Sequence, residues 1–322
     1  MKSLIGRRVL VTGASGFVGS HLVQRLRALG ACVGAVSRDV GKIKGVEECE
    51  LLVFDLRQEE ETKRAITDFA PEIVFHLAAH PDGTESTTQA LAAIQWNAAM
   101  TLNLLEACRL AQTRLVVYAD SCKVYGNSQV PHSANLPPQP LCSYAIGKLA
   151  GWELCRLYQR LHDIDVVSIR STIIYGPRQG HNLIRSIAER LTAGEKEIHL
   201  MGGNQTRDPL YIDDAVDAFL MAAERGSLVS GEVINIGGGC EQTVYSLALQ
   251  IVEAYGTQAT VKVAPSQLRP NDTLRSYCDN AEAIDRLGWA PKTSFPHGLD
   301  LTLASIRPEN TVAALRQPVR QE

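Results

Sequence analysis

A glycine-rich turn near the amino terminus constrains the fold of this chain more than any other feature. The turn, Thr12-Gly13-Ala14-Ser15-Gly16-Phe17-Val18-Gly19, joins an apolar strand pattern over Val9–Thr12 to a helical pattern over Gly16–Leu29. Its G-x-x-G-x-x-G spacing permits a tight bend, close approach of the backbone to a pyrophosphate and close helix–strand packing. The start of the helix also offers unpaired N–H groups and a positive dipole end to phosphate. We therefore expect a dinucleotide to bind here, on Gly13, Ser15, Gly16, Phe17, Val18 and Gly19.

Strand and helix patterns alternate after this turn, which predicts a parallel sheet covered by helices on both faces. Further apolar runs read as strands over Ala31–Ser37, Ile73–Leu77, Arg114–Ala119 and Ile164–Ile169. Between them lie helical patterns over Glu59–Phe69, Leu91–Leu110 and Tyr144–His162. Beyond Tyr175 the alternation loosens, and we expect helices over Leu183–Leu191, Asp213–Glu224, Val244–Tyr255 and Ala281–Leu287 and a strand over Val233–Ile236. The predicted fold is α/β: a Rossmann-type doubly wound parallel sheet with a smaller mixed α/β lobe.

Composition and charge narrow the function classes. The chain has 322 residues, a net charge of −3 at pH 7 and 45% hydrophobic residues, an ordinary balance for a globular protein. Nothing in it favours binding to nucleic acid or to an anionic membrane, and no apolar run approaches the ~20 residues that span a bilayer. The eight cysteines form no C-x-x-C pair and no zinc-site spacing. We therefore expect reduced thiols, no metal and a cytoplasmic enzyme.

The stretch Ser143-Tyr144-Ala145-Ile146-Gly147-Lys148 is a candidate catalytic element. A tyrosine and a lysine four residues apart lie on the same face of a helix, one turn from each other. A cation beside a phenol favours the phenolate, so Lys148 would make Tyr144 a proton-transfer group at neutral pH. By itself the spacing is common, and an amphipathic helix with a half-buried tyrosine explains the isolated pair more simply.

The end of the second strand indicates which dinucleotide fits. An acidic residue there binds the adenosine ribose of NAD, whereas a basic residue accommodates the 2′-phosphate of NADP. The strand ends in Val36-Ser37-Arg38, with no carboxylate at position 37 and a guanidinium suited to phosphate at position 38. Asp39 follows directly, and a solvated surface arginine is the alternative. We favour NADP(H) over NAD(H), with Ser37 and Arg38 among the cofactor ligands.

Together with motifs farther along the chain, these features resemble the extended short-chain dehydrogenase/reductase family, in its sugar-nucleotide epimerase, dehydratase and reductase branch. The resemblance covers residues 9–306. Its first-half motifs are the glycine turn, Phe54-Asp55-Leu56, His76-Leu77-Ala78-Ala79, Asn97, Ser121 before Val124-Tyr125-Gly126, and Tyr144 with Lys148. Its second-half motifs are Tyr175-Gly176-Pro177, Gln205-Thr206-Arg207-Asp208, Tyr211-Ile212-Asp213-Asp214 and Arg269-Pro270-Asn271-Asp272. The order and spacing of these motifs make a catalytic Tyr144 and Lys148 the favoured interpretation.

The resemblance implies a division of the chain into two regions. Residues 1–172, with 208–237 returning to them, would form the Rossmann-type dinucleotide-binding domain. Residues 173–207 and 238–306 would form the sugar-nucleotide-binding lobe. The polar end of the chain, 307–322, has no sustained periodicity, and we expect it to fray.

The resemblance also implies roles for the cofactor residues. Asp55 and Leu56 would contact the adenine, and further cofactor contacts would come from Leu77, Ala78, Ala79 and Asn97. Lys148 would bridge the nicotinamide ribose and lower the pKa of Tyr144, with help from the positive nicotinamide. Ser121 would hydrogen-bond the sugar oxygen that becomes, or was, the carbonyl. In this scheme the cofactor performs the redox chemistry, and the protein positions and polarises the substrate.

At the far end of the substrate, the resemblance implies contacts with a nucleoside diphosphate. Arg207 and Arg269 are similar to the family's diphosphate clamp, and Asp272 is similar to its nucleotide-ribose ligand. Asn182 and Leu183 would meet the diphosphate and the base, and Ser86 would lie near the sugar. For Ser86 an ordinary surface position is an equally good interpretation.

Departures from the family pattern bear on which reaction the chain catalyses. Dehydratases place an acid pair directly after the serine, because eliminating water needs a general acid and base besides tyrosine. Here these positions are Cys122 and Lys123, so dehydration is disfavoured. A desolvated Lys123 could transfer protons, and a lysine that turns outward or binds a substrate hydroxyl or carboxylate is the alternative. Ile173 stands where many relatives have asparagine, so the pocket near the sugar should be reshaped.

We expect an NADP(H)-dependent enzyme that reduces a 4-keto sugar nucleotide. A 4-epimerase acting through a transient 4-ketone is the alternative, since it needs the same Ser121, Tyr144 and Lys148. A non-catalytic dinucleotide sensor is less favoured, because a sensor needs none of the three. The helices over 91–110 and 144–162 are longer than one core needs, and relatives pair them across a dimer, so we expect a homodimer.

Overall fold

Strands and helices alternate through the first half of the protein, as the sequence predicts. The structure, a computed structural model, describes residues 4–39, 41, 49–80, 85–180, 182–264 and 271–306. Its strands are β1 (Arg8–Thr12), β2 (Cys32–Ser37), β3 (Glu50–Val53), β4 (Ile73–His76), β5 (Leu115–Ser121), β6 (Asp165–Ser171), β7 (Ile174–Tyr175), β8 (Glu197–Met201), β9 (Thr206–Arg207), β10 (Leu210–Tyr211), β11 (Val233–Ile236), β12 (Gln242–Thr243) and β13 (Thr260–Ala264). Its helices are α1 (Phe17–Ala28), α2 (Glu59–Phe69), α3 (Thr87–Ile94), α4 (Met100–Leu110), α5 (Ser143–His162), α6 (Leu183–Thr192), α7 (Ile212–Arg225), α8 (Val244–Tyr255) and α9 (Phe295–Ile306).

A seven-stranded sheet in the order β11-β6-β5-β4-β1-β2-β3 forms the centre of the molecule. Each neighbouring pair in this sheet runs parallel. The strand order reverses between β1 and β4, which opens a crevice at the carboxyl ends of these two strands. The Rossmann-type α/β fold is therefore confirmed, and the topology places a ligand site at this crevice.

Helix α1 shows how the local sequence builds this fold. Its buried residues Gly19, Leu22, Val23 and Leu26 are three to four positions apart, so they share one face that packs on the sheet. Each fully buried leucine contributes roughly 1.5–3 kcal/mol relative to an exposed one. On the outer side, Arg25 forms an ion pair of 2.7 Å with an acidic residue of α7, Asp217. The helix therefore joins the glycine turn to the sheet and to α7.

Several elements differ from the sequence prediction. The helix expected over 91–110 begins at Thr87, and a π-helical segment over Gln95–Ala99 divides it into α3 and α4. The expected helix over 281–287 contains a π-helical turn, Ala283–Leu287. Strands β3, β7, β8, β9, β10, β12 and β13 and helix α9 were not predicted. Helix α9 carries a proline and a glycine in its first turn, which weakens its pattern, and the strands are short or partly exposed.

The second half of the chain adds three small sheets, β10-β7, β12-β9 and β13-β8. One apolar cluster continues from the large sheet into this region, since Val9 and Val11 of β1 belong to the same cluster as Ile184, Ile251 and Leu299. The two regions thus share a core. Their assignment as a dinucleotide-binding domain and a sugar-nucleotide lobe stays a prediction, and the tail 307–322 lies outside the described residues.

Candidate active site

The glycine turn holds the end of β1 against the end of β4. Gly13 has a φ of +68°, and a Cβ there would lie 2.8 Å from the Ala78 backbone nitrogen. A Cβ on Gly19 would lie 2.1 Å from the Gly13 carbonyl oxygen, an approach that only glycine permits. Thr12 Oγ1 accepts a hydrogen bond from Ala78 N at 3.2 Å and lies 2.8 Å from His76 Nδ1. The two strand ends at the crevice are thereby fixed to each other.

The start of α1 is suited to an anionic ligand. Gly16 is its N-cap, no side chain caps the helix, and its first turn carries no acidic residue. The helix start therefore offers backbone N–H groups and a positive dipole end. Ser15 is turned to the end of β2, where its Oγ accepts a hydrogen bond from Ser37 Oγ at 3.3 Å. The predicted turn residues that line the large cleft of the molecule are Gly13, Gly16, Phe17, Val18 and Gly19. These residues fit the pyrophosphate of a dinucleotide.

Two arginines and a tryptophan meet beside the ends of β2 and β3. The Cζ atoms of Arg38 and Arg57 lie 4.2 Å and 4.0 Å from the centroid of the same Trp96 ring. Asp55 accepts a hydrogen bond from Arg57, with 2.6 Å between Nη2 and Oδ2, and this bond is the main cause that lowers the pKa of Asp55. Sequence reasoning named Ser37, Arg38 and Asp55 but missed Arg57 and Trp96, because neither belongs to a family motif.

The segment after β4 forms one wall of the cleft. Leu77 and Ala79 line the cleft, whereas Ala78 packs beneath it against the glycine turn. Asn97 is buried, and its Oδ1 accepts a hydrogen bond from His80 N at 2.8 Å. Asn97 therefore holds this wall in place from behind. Another predicted residue, Leu56, is buried in the core and does not line the cleft.

Ser121, Tyr144 and Lys148 converge on the same cleft. Ser121 ends β5, and the other two lie on the first turns of α5. Lys148 is 2% exposed, and its Nζ donates a hydrogen bond of 2.7 Å to the Ala119 carbonyl oxygen. Ser121 Oγ accepts a hydrogen bond from Lys123 N at 3.3 Å. All four catalytic candidates that the sequence identified, Ser121, Lys123, Tyr144 and Lys148, thus line one cleft.

The start of α5 is fixed by contacts with two neighbouring segments. Ser143 donates hydrogen bonds to Glu85 Oε1 from its backbone nitrogen (3.0 Å) and from Oγ (3.2 Å). A Cβ on Gly147 would lie 2.6 Å from the Ala93 carbonyl oxygen, so α5 lies directly against α3 at this point. Both contacts hold the turn that carries Tyr144.

The pKa values of the tyrosine and the lysine are set mainly by burial. Desolvation lowers the pKa of Lys148 to about 8, and the nearby Asp120 carboxylate opposes this shift. Desolvation raises the pKa of Tyr144, Asp120 raises it further, and a hydrogen bond with Ser121 acts in the opposite direction. The protein itself therefore raises the pKa of this phenol, whereas the sequence led us to expect a lower one. A phenol that keeps its proton is suited to donating it.

A buried charged network lies beneath these residues, and sequence reasoning missed it. Asp120 Oδ2 accepts hydrogen bonds from Arg170 Nε (2.7 Å) and Ser168 Oγ (3.1 Å). Asp120 Oδ1 accepts from Ser121 N at 2.8 Å, so the carboxylate also fixes the serine backbone. The sequence signal that could have revealed this network is a charged residue, Asp120 or Arg170, directly after each of two apolar strand patterns.

The two positions after Ser121 differ in their surroundings. Cys122 is buried, with its Sγ 2.7 Å from Cys278 Sγ. Lys123 is exposed, and its Nζ lies 5.7 Å from the centroid of the Tyr144 ring. Lys123 therefore lies at the open side of the cleft, beside Tyr144. Neither side chain is a carboxylate.

The same cleft, of about 990 Å³, continues to the small sheets. Arg207 and Asp272 line this end and form an ion pair of 2.7 Å. Asn182 and Leu183 also line it, and Asn182 Oδ1 caps α6 by accepting a hydrogen bond from Arg185 N at 2.7 Å. Four of the predicted substrate residues thus lie together.

Two other predicted substrate residues are not part of this group. Ser86 caps α3, accepting a hydrogen bond from Gln89 N at 3.2 Å, and does not line the cleft. Arg269 lies outside the described residues. The far end of the cleft contains three residues to which sequence reasoning assigned no role: Arg190, His199 and Gln205. Gln205 is 7% exposed, and its buried Oε1 has no hydrogen-bond partner within the part of the chain that the structure describes.

Among the described residues, no helix is long and apolar enough to cross a membrane. No cluster of at least three His, Cys, Asp or Glu side chains in these residues could hold a metal ion.

Comparison with known proteins shows the family of this chain. A sequence model of the NAD dependent epimerase/dehydratase family matches residues 9–237. UDP-glucose 4-epimerase of Mycolicibacterium smegmatis is 34% identical over 313 residues, which cover 93% of this chain and 98% of the relative. UDP-glucose 4-epimerase of Thermotoga maritima, solved with UDP-glucose, has a TM-score of 0.85 and 30% identity, covering 95% of this chain and 99% of that one. The Thermus thermophilus UDP-glucose 4-epimerase, solved with NAD, has a TM-score of 0.83 and 30% identity over 94% of this chain and 99% of that one.

The fold, the order of the motifs and the convergence of Ser121, Tyr144 and Lys148 agree with these similarities. The family match covers well over half of the chain, and the similarity to the mycobacterial relative covers nearly all of it. This protein belongs to the NAD-dependent epimerase/dehydratase family, the sugar-nucleotide branch of the extended short-chain dehydrogenase/reductase enzymes.

Proposed function

We propose that this protein is a nucleoside-diphosphate-sugar oxidoreductase that reduces a 4-keto sugar nucleotide with NADP(H). One observation carries the proposal: Ser121, Tyr144 and Lys148 line a cleft that continues to Arg207 and Asp272. A single ligand with a sugar at one end and a nucleoside diphosphate at the other would match the length and chemistry of this cleft. When bound, the nicotinamide supplies the hydride.

The chain's own residues would handle the proton and the carbonyl oxygen. Ser121 Oγ donates a hydrogen bond to this oxygen and so orients the carbonyl. Tyr144 gives its phenolic proton to the same oxygen as the alcohol forms. The buried Lys148 ammonium stabilises the phenolate that remains, and its bond to Ala119 O keeps the ammonium in place. Burial raises the pKa of Tyr144, so the phenol carries its proton when the substrate binds.

The opposite end of the cleft would hold the nucleoside diphosphate. Arg207 Nη1 donates to the carbonyl oxygens of Thr206 and Thr273, at 2.7 Å and 2.9 Å, and Nη2 donates to Asp272. These bonds fix the guanidinium plane and leave its other N–H groups for phosphate oxygens. The proposed substrate set also includes Asn182, Leu183, Arg269 and Ser86, with Asp272 as the ribose ligand.

Positions 122 and 123 argue against dehydration. Elimination of water needs a general acid and a general base besides the tyrosine. Cys122 is buried beside Cys278, and Lys123 is exposed. Because neither can act as a carboxylic acid, oxidation or reduction at the sugar carbinol is the chemistry that these residues support.

Two residues at the end of β2 support NADP(H) as the cofactor. Ser37 brings no carboxylate to the adenosine ribose, and Arg38 brings a guanidinium. The solved Thermus relative contains NAD, so the preference for NADP(H) would be a property of this chain. In an Arg38→Ala variant, we expect the Kd for NADPH to rise far more than the Kd for NADH. An equal rise for both would contradict the phosphate assignment.

A 4-epimerase is the second candidate. It is favoured by the 34% identity to the mycobacterial UDP-glucose 4-epimerase. Epimerisation through a 4-ketone needs the same hydride and proton transfers, first in one direction and then in the other. An epimerase differs from a reductase in that it regenerates its cofactor in every cycle.

One experiment distinguishes the candidates. The purified protein is offered NADPH with a 4-keto-6-deoxy sugar nucleotide and, separately, an NDP-hexose. Stoichiometric loss of NADPH supports the reductase, whereas interconversion of two NDP-hexoses without net cofactor change supports the epimerase. Tight dinucleotide binding with no turnover would instead indicate a sensor. As a control, Tyr144→Phe should lower turnover by about 10²–10⁴-fold with little change in dinucleotide affinity.

We further propose a homodimer through α3, α4 and α5. The described surfaces of these helices expose large apolar side chains, namely Leu91, Ile94, Leu102, Leu110, Ile146, Leu157 and Leu161. Burying such a surface against its copy would remove it from water. Light scattering of a Leu161→Glu variant should show a monomer. The matched control is Leu228→Glu, since Leu228 is similarly exposed (69% against 63%) but lies outside these helices.

A further inference from the structure

The arginine pair over Trp96 lies at the edge of the sheet next to the glycine turn. Arg38 directly follows β2, and Arg57 follows β3 by four positions. The two strands are parallel neighbours with Ser37 opposite Val53, so their carboxyl ends point to the same edge. Phe54 N donates to Ser37 O at 3.2 Å, which keeps the two strand ends together. The pair is therefore brought together by the register of the sheet.

Trp96 provides the surface on which both guanidinium groups lie. It belongs to the π-helical segment before α4, and such segments are frequent at functional sites. The indole packs against the apolar cluster that contains Phe54 and Leu56. Stacking on an aromatic ring orients a guanidinium and leaves its in-plane N–H groups available. The tryptophan thus fixes two cations without using up their hydrogen-bond donors.

Two carboxylates lie near the arginine pair, and each of them has a hydrogen-bond donor of its own. Asp55 is engaged by Arg57 through Nε and Nη2, and Asp39 Oδ1 accepts a hydrogen bond from Gly41 N at 2.9 Å. Asp55 takes the Nε and Nη2 donors of Arg57, and a phosphate beside the ring could accept from Nη1 and from Arg38. Arg57 is 39% exposed, so its remaining donors are accessible to a ligand.

We propose that Arg38, Arg57 and Trp96 form a clamp for the 2′-phosphate of NADP(H), in which Arg57 is the second arm and Trp96 the support. The inference rests on the proposed function, since it assumes that the cleft takes a nicotinamide dinucleotide. It adds Arg57 and Trp96 as residues that determine cofactor specificity. A phosphate monoester accepts charge-assisted hydrogen bonds from two guanidinium forks, whereas the ribose hydroxyl of NAD(H) has no such charge.

The test measures binding of NADPH and NADH, and of the fragments 2′,5′-ADP and 5′-AMP, by calorimetry. Arg57→Gln should raise the Kd of NADPH and of 2′,5′-ADP by about tenfold or more, as expected for a lost charge-assisted bond, with NADH and 5′-AMP changed less than about twofold. Trp96→Leu should likewise raise the Kd of NADPH more than the Kd of NADH. The matched control is Arg64→Gln, because Arg64 is an exposed arginine of α2 outside the cluster.

Each outcome decides a different point. Equal weakening of NADPH and NADH by Trp96→Leu would overturn the clamp and make Trp96 an adenine contact. An Arg57→Gln variant with an unchanged NADPH-to-NADH ratio would also overturn it. If the wild-type protein binds neither dinucleotide, the proposed function fails first. A second readout is the dependence of affinity on salt concentration. In the wild type, affinity for NADPH should fall more steeply with salt than affinity for NADH, and in Arg57→Gln the two slopes should be equal.

Discussion

Asp120 and Arg170 form a buried ion pair directly beneath Ser121, with 2.7 Å between Oδ2 and Nε. The pair joins β5 to β6, and Arg170 Nη1 also donates a hydrogen bond of 2.9 Å to the Tyr125 hydroxyl. Asp120 additionally accepts from the Ser121 backbone nitrogen. The network therefore couples the stability of the sheet to the position of Ser121.

Removing the charge of Asp120 should destabilise the protein strongly. Asp120→Asn keeps the shape of the side chain but leaves the Arg170 guanidinium buried without its counter-charge. The expected loss is about 3–5 kcal/mol in the free energy of unfolding, measured by urea titration. Glu153→Gln removes the carboxylate of an exposed ion pair with Arg156, and it should cost no more than about 1 kcal/mol. Similar losses in both variants would contradict the role of the buried pair.

Lys148 should make stability depend on pH in the alkaline range. Its pKa is about 8 in the folded protein against an ordinary value of 10.5, because burial disfavours the ammonium. Between these pH values the unfolded chain binds more protons, so the contribution of Lys148 to stability rises with pH. The shift corresponds to about 3 kcal/mol. A Lys148→Met variant lacks this contribution. Its free energy of unfolding minus that of the wild type should therefore be greatest at pH 7 and should be lower by about 3 kcal/mol at pH 10.5.

Urea titrations of both proteins across this range test the prediction. Taking the difference between them removes the titration of other groups. A stability difference that stays constant from pH 7 to pH 10.5 would show that Lys148 is not desolvated as the structure indicates.

Lys123 should affect substrate binding rather than turnover. Its side chain is exposed and lines the cleft, so its ammonium group can reach a bound substrate. Lys123→Met should therefore raise KM while kcat changes little, and Lys123→Arg should retain most of the affinity, because it keeps the charge. Steady-state kinetics separate the two effects. Loss of kcat at constant KM would instead assign acid–base catalysis to Lys123.

Gly19 should be intolerant of even a methyl group. A Cβ there would lie 2.1 Å from the Gly13 carbonyl oxygen, so Gly19→Ala must push α1 away from the turn. We expect a loss of about 1–3 kcal/mol in unfolding free energy and weaker dinucleotide binding. Gly180→Ala is the control, since nothing lies within 4 Å of a Cβ at that position. If both variants bind dinucleotide like the wild type, the close approach of α1 is not needed for the site.

Local patterns in the sequence were sufficient for the fold and for the centre of the site. The alternation of apolar strands with helical patterns predicted the parallel sheet, because each pattern depends on residues a few positions apart. The four-residue spacing of Tyr144 and Lys148 likewise follows from helix geometry. The glycine turn predicted the approach of α1 to β1, which the close contact between Gly19 and Gly13 requires.

Only the tertiary structure decided how the charged side chains are paired and exposed. Asp120 meets Arg170 across 50 positions of sequence, and Arg38 and Arg57 share one ring from a third segment. The exposure of Lys123 and the raised pKa of Tyr144 could not be read from the chain either, since desolvation is a sum over every segment packed around a group. The sequence by itself determined which residues could do the chemistry, and the packing of distant segments decided the charge and water around each of them.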